Sequence, residues 1–153
     1  MYDIFIRVAA DGLMIPIVMI GVYALVFKVP KEERLQVYSR VLVAGLTTYL
    51  LAKLIGYVYQ PETLRPFELA SGVAKASYLN NPGFPSDHIL FATAIVSAVW
   101  FETKQKFLTW ILIVLIILVA VGRVLALVHT PLDVIGGAVI AAIGSVWYLT
   151  AKS

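Results

Sequence analysis

The chain has two histidines, and both stand among residue types that handle anions: His88 follows Pro85-Ser86-Asp87, and His129 lies between Arg123 and Asp133. His129 and Asp133 are one helical turn apart, a spacing that brings the carboxylate to an imidazole N–H. A carboxylate there fixes the tautomer, leaves the other ring nitrogen free, and stabilises the cation formed when that nitrogen attacks. This is the layout of a nucleophile with its orienter. His88, facing the same target from the leaving-group side, is placed to act as general acid and then as general base. Arg65 and Arg123 supply the complement for a doubly charged group. Phosphate is the natural candidate, because a guanidinium matches its oxygens bidentately and stays charged when partly desolvated. Each residue also has a bland reading. Ser86 and Thr130 are good helix caps, Asp133 is a first-turn carboxylate answering a helix dipole, Arg123 ends an apolar helix, and Lys53 snorkels toward an interface. Their joint occurrence in one order favours the chemical reading.

The elements that position these residues are membrane helices. With 61% hydrophobic and 14% charged residues and a mean hydropathy of +0.91, the chain is too apolar for a soluble domain, whose apolar share is about half. It reads as all-α, a polytopic transmembrane bundle forming one domain over residues 1–153. Apolar runs give five expected spans, at 12–27, 41–59, 89–101, 107–122 and 132–151. Residues 1–10 alternate Ile4, Phe5 and Val8 with Asp3 and Arg7, which predicts a short amphipathic piece in the interface. No small-residue cleavage site follows the first run, so a removable signal peptide is not expected. The stretch 60–85, with Pro61, Pro66, Gly72, Pro82 and Gly83, reads as a loop holding one short interfacial helix at 68–78. Gly137, Ala141 and Ser145 recur every fourth residue, a pattern of close helix packing. Trp100, Trp110, Trp147 and Tyr148 read as interfacial belt residues.

Basic residues set the orientation. Lys28, Lys31, Arg34, Arg40, Lys104, Lys106 and Lys152 fall on one side, which is therefore expected to be cytoplasmic, while Arg7, Arg65, Lys75 and Arg123 fall on the other. The net charge of +3 serves this purpose, and nucleic acid is not an expected partner. The absence of cysteine excludes disulfides and thiol chemistry. In this topology the third and fifth spans both start at the outer face. Ser86 is placed as the N-cap of one, and Thr130, Pro131 and Asp133 open the other. Two helix N-termini aimed at one volume make an anion site.

Arg65-Pro66, then Pro85-Ser86-Asp87-His88, then Arg123, His129 and Asp133 resemble, in order and in the spacing of the third part, the tripartite signature of the type 2 phosphatidic acid phosphatase superfamily. The third part continues as Val134-Ile135-Gly136-Gly137 in the family's manner, and the resemblance extends over 53–133. It implies a membrane lipid phosphatase that needs no cofactor or metal and works through a phosphohistidine. In that scheme His129 attacks phosphorus, Asp133 orients it, and His88 protonates the departing oxygen. Lys53, Arg65, Ser86, Asp87 and Arg123 hold the phosphate, Ser86 and Asp87 partly through backbone N–H groups.

The chain departs from the pattern in places. Val58 occupies the usual position of the family's lysine, and Lys53 lies further upstream. Gly122 stands where many members have serine, and five spans are expected against the six of many relatives. Asp87 replaces the commoner glycine, a variant that resembles the undecaprenyl-diphosphate phosphatase branch and makes a polyprenyl diphosphate the leading substrate. Phosphatidylglycerol phosphate, phosphatidic acid and lipid A phosphate are the other lipids of the class. The expected location is the plasma (inner) membrane, with the site on the outer face. The competing functions are a lipid phosphotransferase of the same fold and a non-enzymatic bundle that binds or moves a phosphorylated lipid. A soluble haloperoxidase of the same superfamily is excluded by the spans. The His and acidic residues do not have the spacing of a usual metal ligand set.

Overall fold

Long apolar runs build helices here, and the computed structural model describes residues 2–61, 64–79, 81 and 83–149, whose regular structure is entirely helical. The first rod is α1 (Tyr2–Arg7), a π turn (Val8–Gly12) and α2 (Met14–Phe27), continuous over 26 residues. A short 3-10 turn (Lys31–Glu33) leads into α3 (Arg34–Val58), together 28 residues. After α4 (Pro66–Leu69) come α5 (Asp87–Ala98), which runs on as a π turn (Val99–Thr103), α6 (Lys106–Leu125), and α7 (Pro131–Gly144), which ends as a 3-10 turn (Ser145–Tyr148). Among the described residues four rods are long and apolar enough to cross a membrane: Tyr2–Phe27, Lys31–Val58, Lys106–Leu125 and Pro131–Tyr148. α5 is the shortest of the five expected spans and sits at the centre, packed on α2, α3, α6 and α7.

Three sequence expectations change. Residues 2–10 are not a separate interfacial piece. They extend the first rod, with Ile4, Phe5 and Val8 outward and Ile6 and Ala10 buried, because the small Ala9-Ala10 face lets α6 press against it. The helix expected at 68–78 is only α4, Pro66–Leu69, ended by Ser71 at a φ of 50°, a left-handed conformation that an α-helix does not continue through. α6 extends past 122, so Arg123 lies inside its last turn. The end of the fifth expected span at 150–151, Lys152, and Pro82 in the loop lie outside the described residues.

The core joins α2, α5 and α6 through Ile17, Ala24, Ile89, Ala92, Leu112 and Val119. Leu35, Leu50, Phe107 and Ile135 point outward, the pattern of helices whose solvent is lipid, where small residues set how closely neighbours approach. Gly137 shows this between α5 and α7: a Cβ there would lie 2.7 Å from the Ser86 carbonyl oxygen and 3.1 Å from the Leu90 nitrogen. Ala141 and Ser145, on the following turns, are buried as well. At the opposite end Arg40 donates from Nε and Nη2 to the two Glu102 oxygens, both at 2.7 Å, a bidentate pair. Phe101 stacks on Tyr148 beside it at 5.5 Å.

Candidate functional site

α5 and α7 begin side by side. The Ser86 N–H donates to the Asp133 carbonyl at 3.0 Å, which holds one helix start against the other. The start of α7 is closed by its own sequence. Thr130 Oγ1 accepts from the Asp133 N–H at 3.2 Å, and Asp133 Oδ2 accepts from the Thr130 N–H at 2.7 Å, a reciprocal cap with Pro131 at the first helical position. His129 sits just before this cap. Its Nδ1 lies 3.5 Å from Asp133 Oδ2, longer than an ordinary N–H···O bond, and that oxygen is already engaged by Thr130. The pair is within reach but not closed. Burial pulls the His129 imidazole below its ordinary value, and Asp133 offsets this only in part.

The start of α5 is different. Ser86 occupies the N-cap position, yet its hydroxyl makes no cap bond, is completely buried, and has no hydrogen-bond partner. A simple helix cap would have used it. Asp87 opens the helix and pairs with Lys53 Nζ at 3.7 Å, and that ammonium also lies over the Tyr49 ring. The Lys53–Asp87 pair stands at the edge of the site, bordering two cavities of about 690 and 240 Å3.

Among the described residues Arg65 and Arg123 are the deepest cations, at 7% and 1% exposure. Arg65 donates from Nη1 to the Val128 carbonyl at 2.6 Å and from Nη2 to the Leu79 carbonyl and to both the carbonyl and Oδ1 of Asn81, each at 3.1 Å. Burial lowers its pKa, and the Asp133 carboxylate works against that. Arg123 donates from Nη1 to Asp11 Oδ1 at 2.7 Å and to the Ser77 carbonyl at 2.8 Å, while its Nε has no partner. The other oxygen of Asp11 accepts from the Ser77 N–H at 2.8 Å, and His88 Nε2 stands 3.7 Å from Asp11 Oδ1. The two histidines and Arg123 are within mutual electrostatic range.

Arg65, Arg123, Ser86, His88, His129 and Asp133 are thus brought together, with Lys53 and Asp87 as a pair at the rim. Ser86 Oγ and Arg123 Nε are buried polar atoms with hydrogen-bonding capacity unspent within the protein, donors suited to a tetrahedral oxyanion. Among the described residues no three His, Asp or Glu side chains gather as a metal ligand set.

Sequence reasoning missed Asp11, Ser77 and Asn81. Only Asp11 carried a signal, an acid inside a membrane rod, which is costly without a partner. It also missed the turn between α6 and α7, where Leu127 adopts a φ of 59°, a strained conformation for a bulky residue. That turn aims the Leu127 and Val128 carbonyls at the Phe67 N–H and Arg65. The absence of serine at 122 has a physical reason. A Cβ on Gly122 would stand 2.7 Å from the Ala10 nitrogen, so any side chain there meets the backbone of the first rod.

A family model described as the PAP2 superfamily matches residues 35–153, a stretch that runs from the first turn of α3 through α7 and holds every signature residue. No curated protein and no solved structure matches the chain.

Proposed function

The chain belongs to the PAP2 superfamily, and from that membership we propose that it is an integral-membrane phosphatase of a phosphorylated lipid that works through a phosphohistidine. The observation that supports the reading is the joining of the two helix starts at Ser86 and Asp133, with His88 and His129 both within electrostatic range of Arg123. Phosphoryl transfer passes through a loose, charge-spread transition state, so positioning and electrostatic stabilisation supply most of the catalysis. Arg65, Arg123, Ser86 and the first N–H groups of α5 hold the phosphate oxygens, with Lys53 and Asp87 at the rim. The free nitrogen of His129 attacks phosphorus, the bond to the lipid oxygen breaks, and a proton from His88 goes to that oxygen. Water then attacks the phosphohistidine, gives its proton to His88, and releases inorganic phosphate.

The larger cavity supports a lipid. From Lys53 and Asp87 it runs along Leu90, Ala94 and Ala98 to Tyr148, a mainly apolar path beside the site that suits a hydrocarbon chain. Asp87 in the second signature element favours a polyprenyl diphosphate, cleaved to the monophosphate, over glycerolipid phosphates. The distribution of basic residues favours a site on the outer face of the plasma membrane.

The test is inorganic phosphate release by the purified chain from prenyl diphosphates and glycerolipid phosphates, with and without a chelator. Release that persists in chelator is expected. No release from any of these lipids would sink the reading, and phosphate recovered on a second lipid would identify a phosphotransferase.

A further inference from the structure

We infer that Asp11, on the first rod and outside the family signature, is a positioning residue for the reaction, holding His88 in line with the departing lipid oxygen. The inference rests on the phosphatase reading above and goes beyond it, since nothing in that reading requires a residue before 35.

A carboxylate in a membrane rod needs compensation, and Asp11 has three partners at the site. Oδ1 accepts from Arg123 Nη1 at 2.7 Å and lies 3.7 Å from His88 Nε2, while Oδ2 accepts from the Ser77 N–H at 2.8 Å. The π turn at Val8–Gly12 carries it. An inserted residue of this kind re-aims the side chains around it, and such bulges recur at functional positions. The rod has no freedom to withdraw, because Gly122 brings α6 onto the Ala9-Ala10 backbone.

The geometry parallels that of the nucleophile. Asp133 stands 3.5 Å from one nitrogen of His129, and Asp11 stands 3.7 Å from one nitrogen of His88. A carboxylate beside one ring nitrogen decides which nitrogen carries which proton and which one faces the substrate. Asp11 stands on the Nε2 side of His88, which leaves Nδ1 for the leaving oxygen. The same carboxylate anchors Nη1 of Arg123 and leaves its unpartnered Nε for the phosphate. Asp11 touches no reacting atom; it acts on bond cleavage through His88, while the amide oxygen of an Asp11→Asn variant can still accept from Arg123 Nη1.

Leaving-group dependence tests the inference. A lipid oxygen must be protonated as it departs, whereas p-nitrophenolate leaves without help, and kcat/KM reports the steps through bond cleavage. Asp11→Asn in the full chain should lower kcat/KM on a lipid phosphate by about ten- to a hundredfold, less than the roughly 10²–10⁴-fold that the acid itself contributes, because the variant misplaces the acid without removing it. On p-nitrophenyl phosphate the loss should be no more than about threefold. His88→Ala should show the same bias, and Asp11→Asn should add nothing in that background. Where the amide variant does not fold, Asp11→Glu, which keeps the charge beside Arg123 and displaces it from His88, is read by the same ratio. An equal fall on both substrates, or full additivity with His88→Ala, overturns the inference and leaves Asp11 a structural counter-ion. An active wild type with an unaffected Asp11→Asn overturns this inference alone. A wild type that releases no phosphate overturns the phosphatase reading and this one with it.

Discussion

His129 owes its place to two local facts, the strained turn at Leu127 that lifts Val128 and His129 over Arg65, and the Thr130–Asp133 cap that fixes the carboxylate one turn on. In the proposed scheme its nitrogen is the nucleophile, so His129→Ala should abolish turnover and remove acid-labile phosphate trapped on the chain. Arg65→Lys keeps the charge but not the fork that spans Val128 and Asn81. Loss of one positioned donor costs about 2.7 to 4 kcal/mol in comparable sites, about a hundred- to a thousandfold in rate, and the variant should retain activity at that reduced level. A fully active His129→Ala would remove the proposed nucleophile.

The acid limb of the pH profile follows from the same residue. Attack needs the neutral imidazole, and burial holds His129 below its ordinary 6.5. As pH falls, the unfolded chain takes up this proton first, so the His129 contribution to stability is complete above about 6.5 and is lost progressively below it. The acid limb of kcat/KM should lie below the same point. Asp133→Asn removes the group that opposes the burial effect, and should move the limb further down while slowing the reaction. A limb that moved upward would contradict the assignment.

At the scale of elements, glycines set how closely helices approach around the site. Gly137 lets α7 lie against the carbonyl of Ser86, and Gly122 lets α6 lie against the first rod. Gly137→Val should force the two helix starts apart, costing about 1 to 3 kcal/mol in stability and most of the activity, with helix content preserved by circular dichroism. Gly122→Ser, which restores the residue of many relatives, should lower the thermal midpoint instead of improving catalysis, because its Cβ meets the Ala10 backbone. What was legible in the sequence was local. Apolar runs gave the rods, and the Thr130–Asp133 cap was visible in four consecutive residues. What was not legible depended on distant neighbours. Asp11 meets Arg123 across 112 positions, Ser86 keeps its hydroxyl unused at the seam between α5 and α7, and α4 stops early because Ser71 turns left-handed.

Over the whole molecule the bundle is tied at both ends by different means. The Arg40–Glu102 fork clasps one end, and at the other Ser77, Leu79 and Asn81 are stitched down by Asp11, Arg123 and Arg65. The region recognisable as PAP2 starts at residue 35, yet the carboxylate that partners Arg123 and the backbone that seats Gly122 both come from earlier in the chain. A fragment of residues 35–153 would carry every signature residue and still leave a deeply sunk guanidinium without its counter-charge. It should be inactive alone and regain phosphate release when residues 1–34 are supplied as a separate peptide, so the inherited motif and the working catalyst are units of different extent.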